Sequence, residues 1–312
     1  MNAASDPTDL PGSVPPTLAE VSVVIPTLGR PSLARALEAI ATGTHRPAEI
    51  LVVDQGGDGT GREIVEDARE RGLSVRHIAS LGRGRAVGVN EGARAVRTSF
   101  LLVTDDDCLA EPEWVEAMAR ALAEHPGAIV TGRIEAWKGG EVPVVVTARS
   151  PFVQRRPRLT HDSLSGGNMG VARSVFEALG LLDEDSRSAT AEDAELAYRA
   201  LRAGIPLVYE PASGVAHVDW REGDARVSQY RSYALSHGAF YGKYLRRGDP
   251  LIAARFLVHM IRAARRWVGG LVRGDSDRAL NGRSYVCFLP RGVMAGWRSP
   301  EGVVVPRTEG PE

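Results

Sequence analysis

Three carboxylates stand side by side in this chain: Asp105, Asp106 and Asp107, directly after the apolar run Leu101-Leu-Val-Thr104. Asp is a poor strand residue, and adjacent negative charges repel. Such a cluster at the end of a buried strand needs a partner. A divalent cation, held by hard oxygen ligands and bridging to a phosphate-bearing substrate, is one. A solvated acidic turn is the other reading, because Asp also favours turns. A further carboxylate, Asp54, closes a second apolar run, Ile50-Leu-Val-Val. An acidic pair, Glu192-Asp193, follows Thr190 at the start of a helical pattern. From the residues alone an acid there reads as a match for the positive end of a helix dipole.

The elements that must position these groups alternate. Val21–Pro26 is a short β-branched run that reads as a buried parallel strand. Leu33, Ala36, Leu37 and Ile40 follow at helical spacing, with Ser32 as the expected N-cap. Strands are then expected at Ile50–Asp54, Val75–Ala79 and Phe100–Thr104, with helices at 61–71, 85–96 and 111–124. Alternation of this kind predicts an α/β protein with a mostly parallel sheet and helices on both faces. In such sheets ligands bind at the carboxyl ends of the strands. Asp54 and Asp105 to Asp107 are both at such ends, which favours a binding site over a solvated turn.

The second half has a different texture. Strands are expected at 128–134, 142–147 and 205–209, with a polar, basic loop at 155–162. Ser165-Gly-Gly-Asn-Met-Gly170 reads as a Gly-rich turn running into a helix at 172–179. Thr190 and Asp193 have the spacing of a capping box. Residues 227–273 read as helical. Leu257, Met260, Ile261, Ala264, Val268 and Leu271 share one face, and Arg255, His259, Arg262, Arg266 and Arg273 share another. Two readings stay open for that segment: a helix packed on the domain with a solvated Arg face, or a helix lying on anionic lipid.

The bulk numbers narrow the classes. The 312 residues carry 38 Lys plus Arg and 39 Asp plus Glu, for a formal net charge of -1, so no global basicity argues for nucleic acid as partner. Cys108 and Cys287 have no C-x-x-C spacing, which argues against a disulfide framework or zinc knuckle and fits a reducing cytoplasm. The first 20 residues hold Pro7, Pro11, Pro15 and Pro16 without an apolar core, and read as a disordered tail rather than a signal peptide.

Five pieces, in order and at matching distances, resemble the family 2 glycosyltransferases, of the rhamnosyltransferase and polysaccharide type. They are Val23-Val-Ile-Pro-Thr27 with Arg30-Pro31, Ile50-Leu-Val-Val-Asp54, Asp105-Asp-Asp107, Gly166-Gly-Asn-Met169, and Glu192-Asp193 with Glu195-Leu196 and Arg199. The resemblance covers about two thirds of the chain. It implies a GT-A fold: a tail at 1–20, a catalytic domain at 21–222 and a C-terminal helical extension at 223–312. The nucleotide-binding half would be 21–110 and the acceptor half 111–222. It also implies an inverting transfer from a UDP-, dTDP- or GDP-sugar to an acceptor hydroxyl, with Mg²⁺ or Mn²⁺.

By that resemblance Asp107 ligates the metal, with His217 as a second metal ligand. Asp105 contacts the ribose or sugar. Asp106 supports the site and is the member expected to tolerate change best. Asp54 bonds the nucleotide base, Pro26 and Thr27 line its pocket, and Arg30 belongs to the donor side. Gly166, Gly167 and Asn168 let the backbone approach the donor sugar. Asp193 is the general base, and Glu192 orients the acceptor loop. His45, His77 and His125 receive no role. The implied location is cytoplasmic, peripheral at the inner face of the membrane if the basic helix meets lipid. Asp54-Gln-Gly-Gly57 departs from the family's usual Asp-Asp-Gly-Ser, and Val89 precedes Asn90 where Arg is common, so the nucleotide base stays open. A sugar-nucleotidyltransferase would want a Gly-rich basic loop after the first strand, which Thr27-Leu-Gly-Arg-Pro31 is not. A receiver-like signalling domain would be shorter and leave Glu192-Asp193 without a purpose.

Overall fold

The computed structural model describes residues 20–137, 147–218 and 223–299. The expected tail, and nearly all of the strand expected at 142–147, lie outside the described residues. The first half alternates as the pattern predicts: β1 (Val21–Thr27), α1 (Ser32–Ala41), β2 (Glu49–Asp54), α2 (Thr60–Glu70), β3 (Val75–Ala79), α3 (Arg85–Ala95) and β4 (Phe100–Thr104). Then come β5 (Cys108–Ala110), α4 (Trp114–Glu124), β6 (Ile129–Ala136), β7 (Phe152–Gln154), β8 (Asn168–Ala172), α5 (Arg173–Ala178), α6 (Glu192–Arg202) and β9 (Leu207–His217). The strands make one mixed sheet of order β3-β2-β1-β4-β8-β6-β9-β5, with β7 also paired to β9.

Alternate residues of each strand face opposite cores. Val23, Ile25, Ile50 and Val52 pack with α1, α2 and α4. Val24, Leu51, Val53 and Leu101 pack with α3, α5 and α6. Burial on both faces explains why the central strands read as unbroken apolar runs.

Register places the chemistry. The parallel pairing of β1 with β2 sets Thr27 beside Asp54, and pairing of β1 with β4 sets Val24 beside Val103. Two residues further on, Pro26 and Thr27 meet the acidic triplet. Antiparallel β8 sets Asn168 beside Thr104, so the Gly166-Gly167 turn abuts Asp105. Antiparallel β5 sets Cys108 beside His217, which brings that imidazole next to Asp107.

Several local expectations are corrected. Ser32 is the first helical residue rather than the N-cap, because Pro31 occupies the cap with helical angles and no side-chain cap bond forms. Asn168–Ala172 is a strand rather than part of a turn, because β4 and β6 flank it on both edges; it runs directly into α5, the helix expected at 172–179. The capping box at Thr190 does not form; Ala191 caps α6 without a side-chain bond, and the Thr190 hydroxyl has no partner.

The C-terminal segment is three long helices: α7 (Asp224–Arg246), α8 (Pro250–Arg273) and α9 (Ser276–Trp297). Asp249 starts α8, its carboxylate accepting from the amides of Leu251 and Ile252 at 3.0 and 3.2 Å, with Pro250 at the first helical position. Gly274, at φ 69°, ends it. Buried polar ties fasten this unit to the sheet-bearing part of the chain. Lys243 pairs with Asp183 and Asp185, Tyr244 donates to Glu195 at 2.6 Å, and Arg255 pairs with Asp162 at 3.0 Å. The solvated Arg face expected of α8 is present, with Arg262, Arg265, Arg266 and Arg273 exposed, but most of its apolar stripe is exposed as well. Ile252, Arg255, Ala263 and Gly270 are buried, whereas Leu257, Ile261, Val268 and Leu271 stand exposed. The ion pair to Asp162 holds Arg255 on the inward face, opposite the exposed stripe.

Candidate active site

The triplet is not three equivalent acids. Asp106 and Asp107 have side chains only 4% and 6% exposed, while Asp105 is 25% exposed. Asp106 accepts from Thr27 Oγ1 at 2.6 Å and from Arg30 Nη1 at 3.1 Å. Burial pushes its pKa up, with the Thr27 bond and the Arg30 charge opposing. These bonds argue against the expectation that Asp106 tolerates change best, since it ties β1 and the Arg30 loop to the end of β4.

Asp107, nearly as buried as Asp106, lies toward His217 of β9. Its Oδ1 lies 3.6 Å from His217 Nε2, beyond a hydrogen bond. Its Oδ2 lies 4.0 Å from Arg30 Nη1. Among the described residues, ligand atoms of Asp107, Cys108 and His217 all fall within 4.8 Å of one another. His217 Nδ1 is buried without a partner. A carboxylate and an imidazole suit Mg²⁺ or Mn²⁺ completed by phosphate and water oxygens. Cys108 fits such an ion poorly, because soft sulfur is a poor match for a hard, oxygen-preferring cation. Asp107 and His217 are thus the donor set that fits.

Asp105 faces the other way. Arg85, the first residue of α3, donates to Asp105 Oδ1 at 2.6 Å and to Glu192 Oε1 at 3.1 Å. Burial opposes the guanidinium charge, but Asp105 and Glu192 outweigh it and raise its pKa. Glu192 is 4% exposed, and burial pushes its pKa to about 7 against the pull of Arg85. Its Oε2 has no partner. Asp193, next along α6, accepts from the amides of Gly166 at 2.9 Å and Ala194 at 2.7 Å. The two glycines fit only because they lack Cβ atoms. A Cβ on Gly166 would meet Arg85 Nη1 at 2.8 Å, and one on Gly167 would meet Asp105 Oδ2 at 2.9 Å. One turn therefore joins the triplet to the α6 acids.

The outlying residues are more committed. Asp54 accepts from the Gly56 amide at 2.8 Å and pairs with His77 Nε2 at 3.0 Å. Asn168 is fully buried. Its amide donates to the carbonyls of Arg133 and Ser213 at 3.0 and 2.8 Å, and its oxygen accepts from Trp114 Nε1 at 2.8 Å. Its side chain braces β6, β9 and α4 and has nothing left for a donor. The sequence pattern missed Arg85 and His77. The signal for Arg85 was its place at a helix start after a Gly-rich loop, in a region where the family carries arginine.

Comparisons with known proteins identify the family and the fold. The model of "Glycosyl transferase family 2" matches residues 22–180, about half of the chain. The pre-mycofactocin glycosyltransferase of Mycobacterium tuberculosis is 29% identical over 238 residues, covering 73% of this chain and 47% of the relative. The validoxylamine A glucosyltransferase of Streptomyces hygroscopicus subsp. limoneus is 28% identical over 244 residues, covering 67% and 54%. The chain thus spans about half the length of these curated relatives. A solved mannosyltransferase from Pyrobaculum calidifontis, in complex with GDP-Man and Mn²⁺, superposes with a TM-score of 0.59 at 18% identity, covering 95% of this chain and 88% of that one.

Proposed function

The chain belongs to glycosyl transferase family 2, and from that premise we propose that it moves a sugar from a nucleoside-diphosphate donor to an acceptor hydroxyl with inversion. Its mixed sheet with flanking helices is the GT-A fold. The observation that carries the proposal is the Gly166-Gly167 turn. It holds Asp193 by its amide and packs against Asp105, so donor-side and base carboxylates share one wall.

Each residue then has a task. Asp54, kept in place by Gly56 and His77, meets the nucleotide base beside Pro26 and Thr27. Asp105 meets the ribose or sugar, and Arg85 fixes its orientation. Arg30 faces the diphosphate. Asp107 and His217 hold Mg²⁺ or Mn²⁺, which when bound supplies Lewis-acid stabilisation of the departing diphosphate. Asp193 takes the acceptor proton as the hydroxyl attacks. UDP, dTDP and GDP donors all fit this assignment. The receiver-like and nucleotidyltransferase readings lose their footing, since the family match spans both the triplet and the glycine turn. Mn²⁺-dependent release of nucleoside diphosphate, abolished by Asp107→Ala, is the expected result. Failure of any nucleotide-sugar to bind would overturn it.

The exposed face of α8 supports a second element, contact with an anionic membrane. Leu257, Ile261, Val268 and Leu271 are 45–64% exposed along a helix that carries five arginines and no acid. No helix among the described residues is long and apolar enough to cross a membrane. Double charge reversal at Arg262 and Arg265 should release the protein from phosphatidylglycerol vesicles. Unchanged binding would rule lipid contact out.

A further inference from the structure

Gln55 departs from the residue usual at its position in the family, and its side chain leads to the head of α3. It is 8% exposed. Its amide donates to the Thr27 carbonyl at 2.9 Å, which sets it beside the end of β1. Its Nε2 donates to the Gly84 carbonyl at 3.2 Å. Gly84, at φ 99°, is the residue on which α3 begins, and α3 has no side-chain N-cap bond. The Gly84 carbonyl also accepts the Gly88 amide at 3.2 Å, so the helix fills one of its lone pairs and Gln55 the other. A Cβ on Gly88 would lie 3.0 Å from Pro26 Cβ and 3.6 Å from Gln55 Oε1, so this turn of α3 sits tightly against the ends of β1 and β2. An aspartate at this position would be one methylene shorter and would have no N–H to give a carbonyl.

Arg85 leaves α3 directly after Gly84. Its Nε and Nη1 donate to Asp105 and Glu192 at 2.6 and 3.1 Å. Those acids come from the end of β4 and the start of α6, and like charges drawn this close need a cation between them. A guanidinium is a planar fork of donors, so the point where its stem starts decides the spacing and angle of the two carboxylates. Arg85 Nη2 is buried without a hydrogen-bond partner, so no further bond on that arm of the fork holds it in place. Val89, where the family often has Arg, is fully buried in the same core as Val24 and Val53. Arg85 is thus the one arginine in the first two turns of α3.

We propose that Gln55 and Arg85 act in series as positioning residues for the transfer: Gln55 fixes the head of α3 from the nucleotide side, and Arg85, starting there, sets the spacing of Asp105 and Glu192. The proposal rests on the glycosyltransferase reading above and adds a linked pair to its machinery. Asp193 follows Glu192 directly in α6. A shift of Arg85 therefore moves the base relative to the donor-side acid. A displacement of about 1 Å at such a site is enough to cost on the order of 10²-fold in rate.

Two measurements on the full chain test it. The first needs no substrate. In ¹⁵N NMR spectra the Arg85 Nε–H, bonded to Asp105, should give an exchange-protected signal, identified by its absence in Arg85→Met. Gln55→Leu, which keeps the bulk and removes the N–H, should lose that protection. A Gln55→Leu protein that keeps it would overturn the series. The second is Mn²⁺-dependent release of nucleoside diphosphate from UDP-glucose, dTDP-rhamnose and GDP-mannose, with water in place of the acceptor hydroxyl. Gln55→Leu should lower kcat about ten-fold, the worth of one hydrogen bond. Arg85→Met should lower it about 10²-fold, and Arg85→Lys, which keeps the charge without the fork, should recover only part. The double variant should be no slower than Arg85→Met alone, and donor KM should stay within about two-fold of wild type throughout. Losses that multiply in the double variant, or that fall on KM alone, would overturn the proposal. The expected NMR result with no release from any of the three donors would instead overturn the glycosyltransferase reading, and the role in transfer with it.

Discussion

Strand β1 and helix α8 are both rich in apolar residues and use them in opposite ways. Every residue of β1 is buried, because a central strand has cores on both faces. In α8 the apolar stripe from Leu257 to Leu271 faces outward, and an arginine is among the residues that face in. Periodicity identifies which side chains share a face. It does not say what that face meets. For β1 the sheet leaves one answer. In α8 the inward face holds Arg255, whose side chain is 3% exposed and whose partner Asp162 is 1% exposed.

That contrast can be broken at several points. Arg255→Ala should have the largest effect on folding, about 3–5 kcal/mol, because it leaves Asp162 buried and uncompensated. A urea midpoint close to wild type would show that the ion pair does not orient α8. Leu102→Ala in β4, fully buried, should cost roughly 2–5 kcal/mol by the same measurement.

Glu192 sharpens the comparison at the junction of the two regions. Its folded pKa, about 7, lies above the ordinary 4.5. The stability it contributes is complete below pH 4.5 and is lost as pH rises through 7. Wild type should therefore lose about 2–3 kcal/mol over that window relative to Glu192→Gln. Parallel pH profiles for the two proteins would place the Glu192 carboxyl in a different environment. Leu257→Ala should change stability least, by under about 0.5 kcal/mol, since the residue is 60% exposed. A core-sized loss would mean that the stripe is covered.

Much of the sheet was legible in the sequence, and for a physical reason. The strands Val75–Ala79 and Phe100–Thr104 have the bounds the pattern predicts, because turn residues and buried β-branched runs mark strand limits locally. Asp105 to Asp107 at a strand end were legible for the same reason. What depended on distant partners was not. Arg85 binds residues 20 and 107 positions away, and Asn168 turns inward to Trp114, Arg133 and Ser213. The Thr190 capping box had the right letters, yet Asp193 spends its oxygens on Gly166 and Ala194. Asp106 looked the most dispensable of three like residues until Thr27 and Arg30 were placed on it.

The central claim is that Asp107 serves the donor's metal while Asp193, on the same wall, serves the acceptor. Calorimetric titration of UDP with and without Mn²⁺, paired with transfer rates, tests it in Asp107→Ala and Asp193→Asn. Asp107→Ala should lose the Mn²⁺-dependent part of UDP binding. Asp193→Asn should bind UDP and Mn²⁺ within about two-fold of wild type while transfer falls about 10³-fold. An Asp193→Asn protein that loses nucleotide binding, or an Asp107→Ala protein that keeps its Mn²⁺ dependence, would contradict the division of labour.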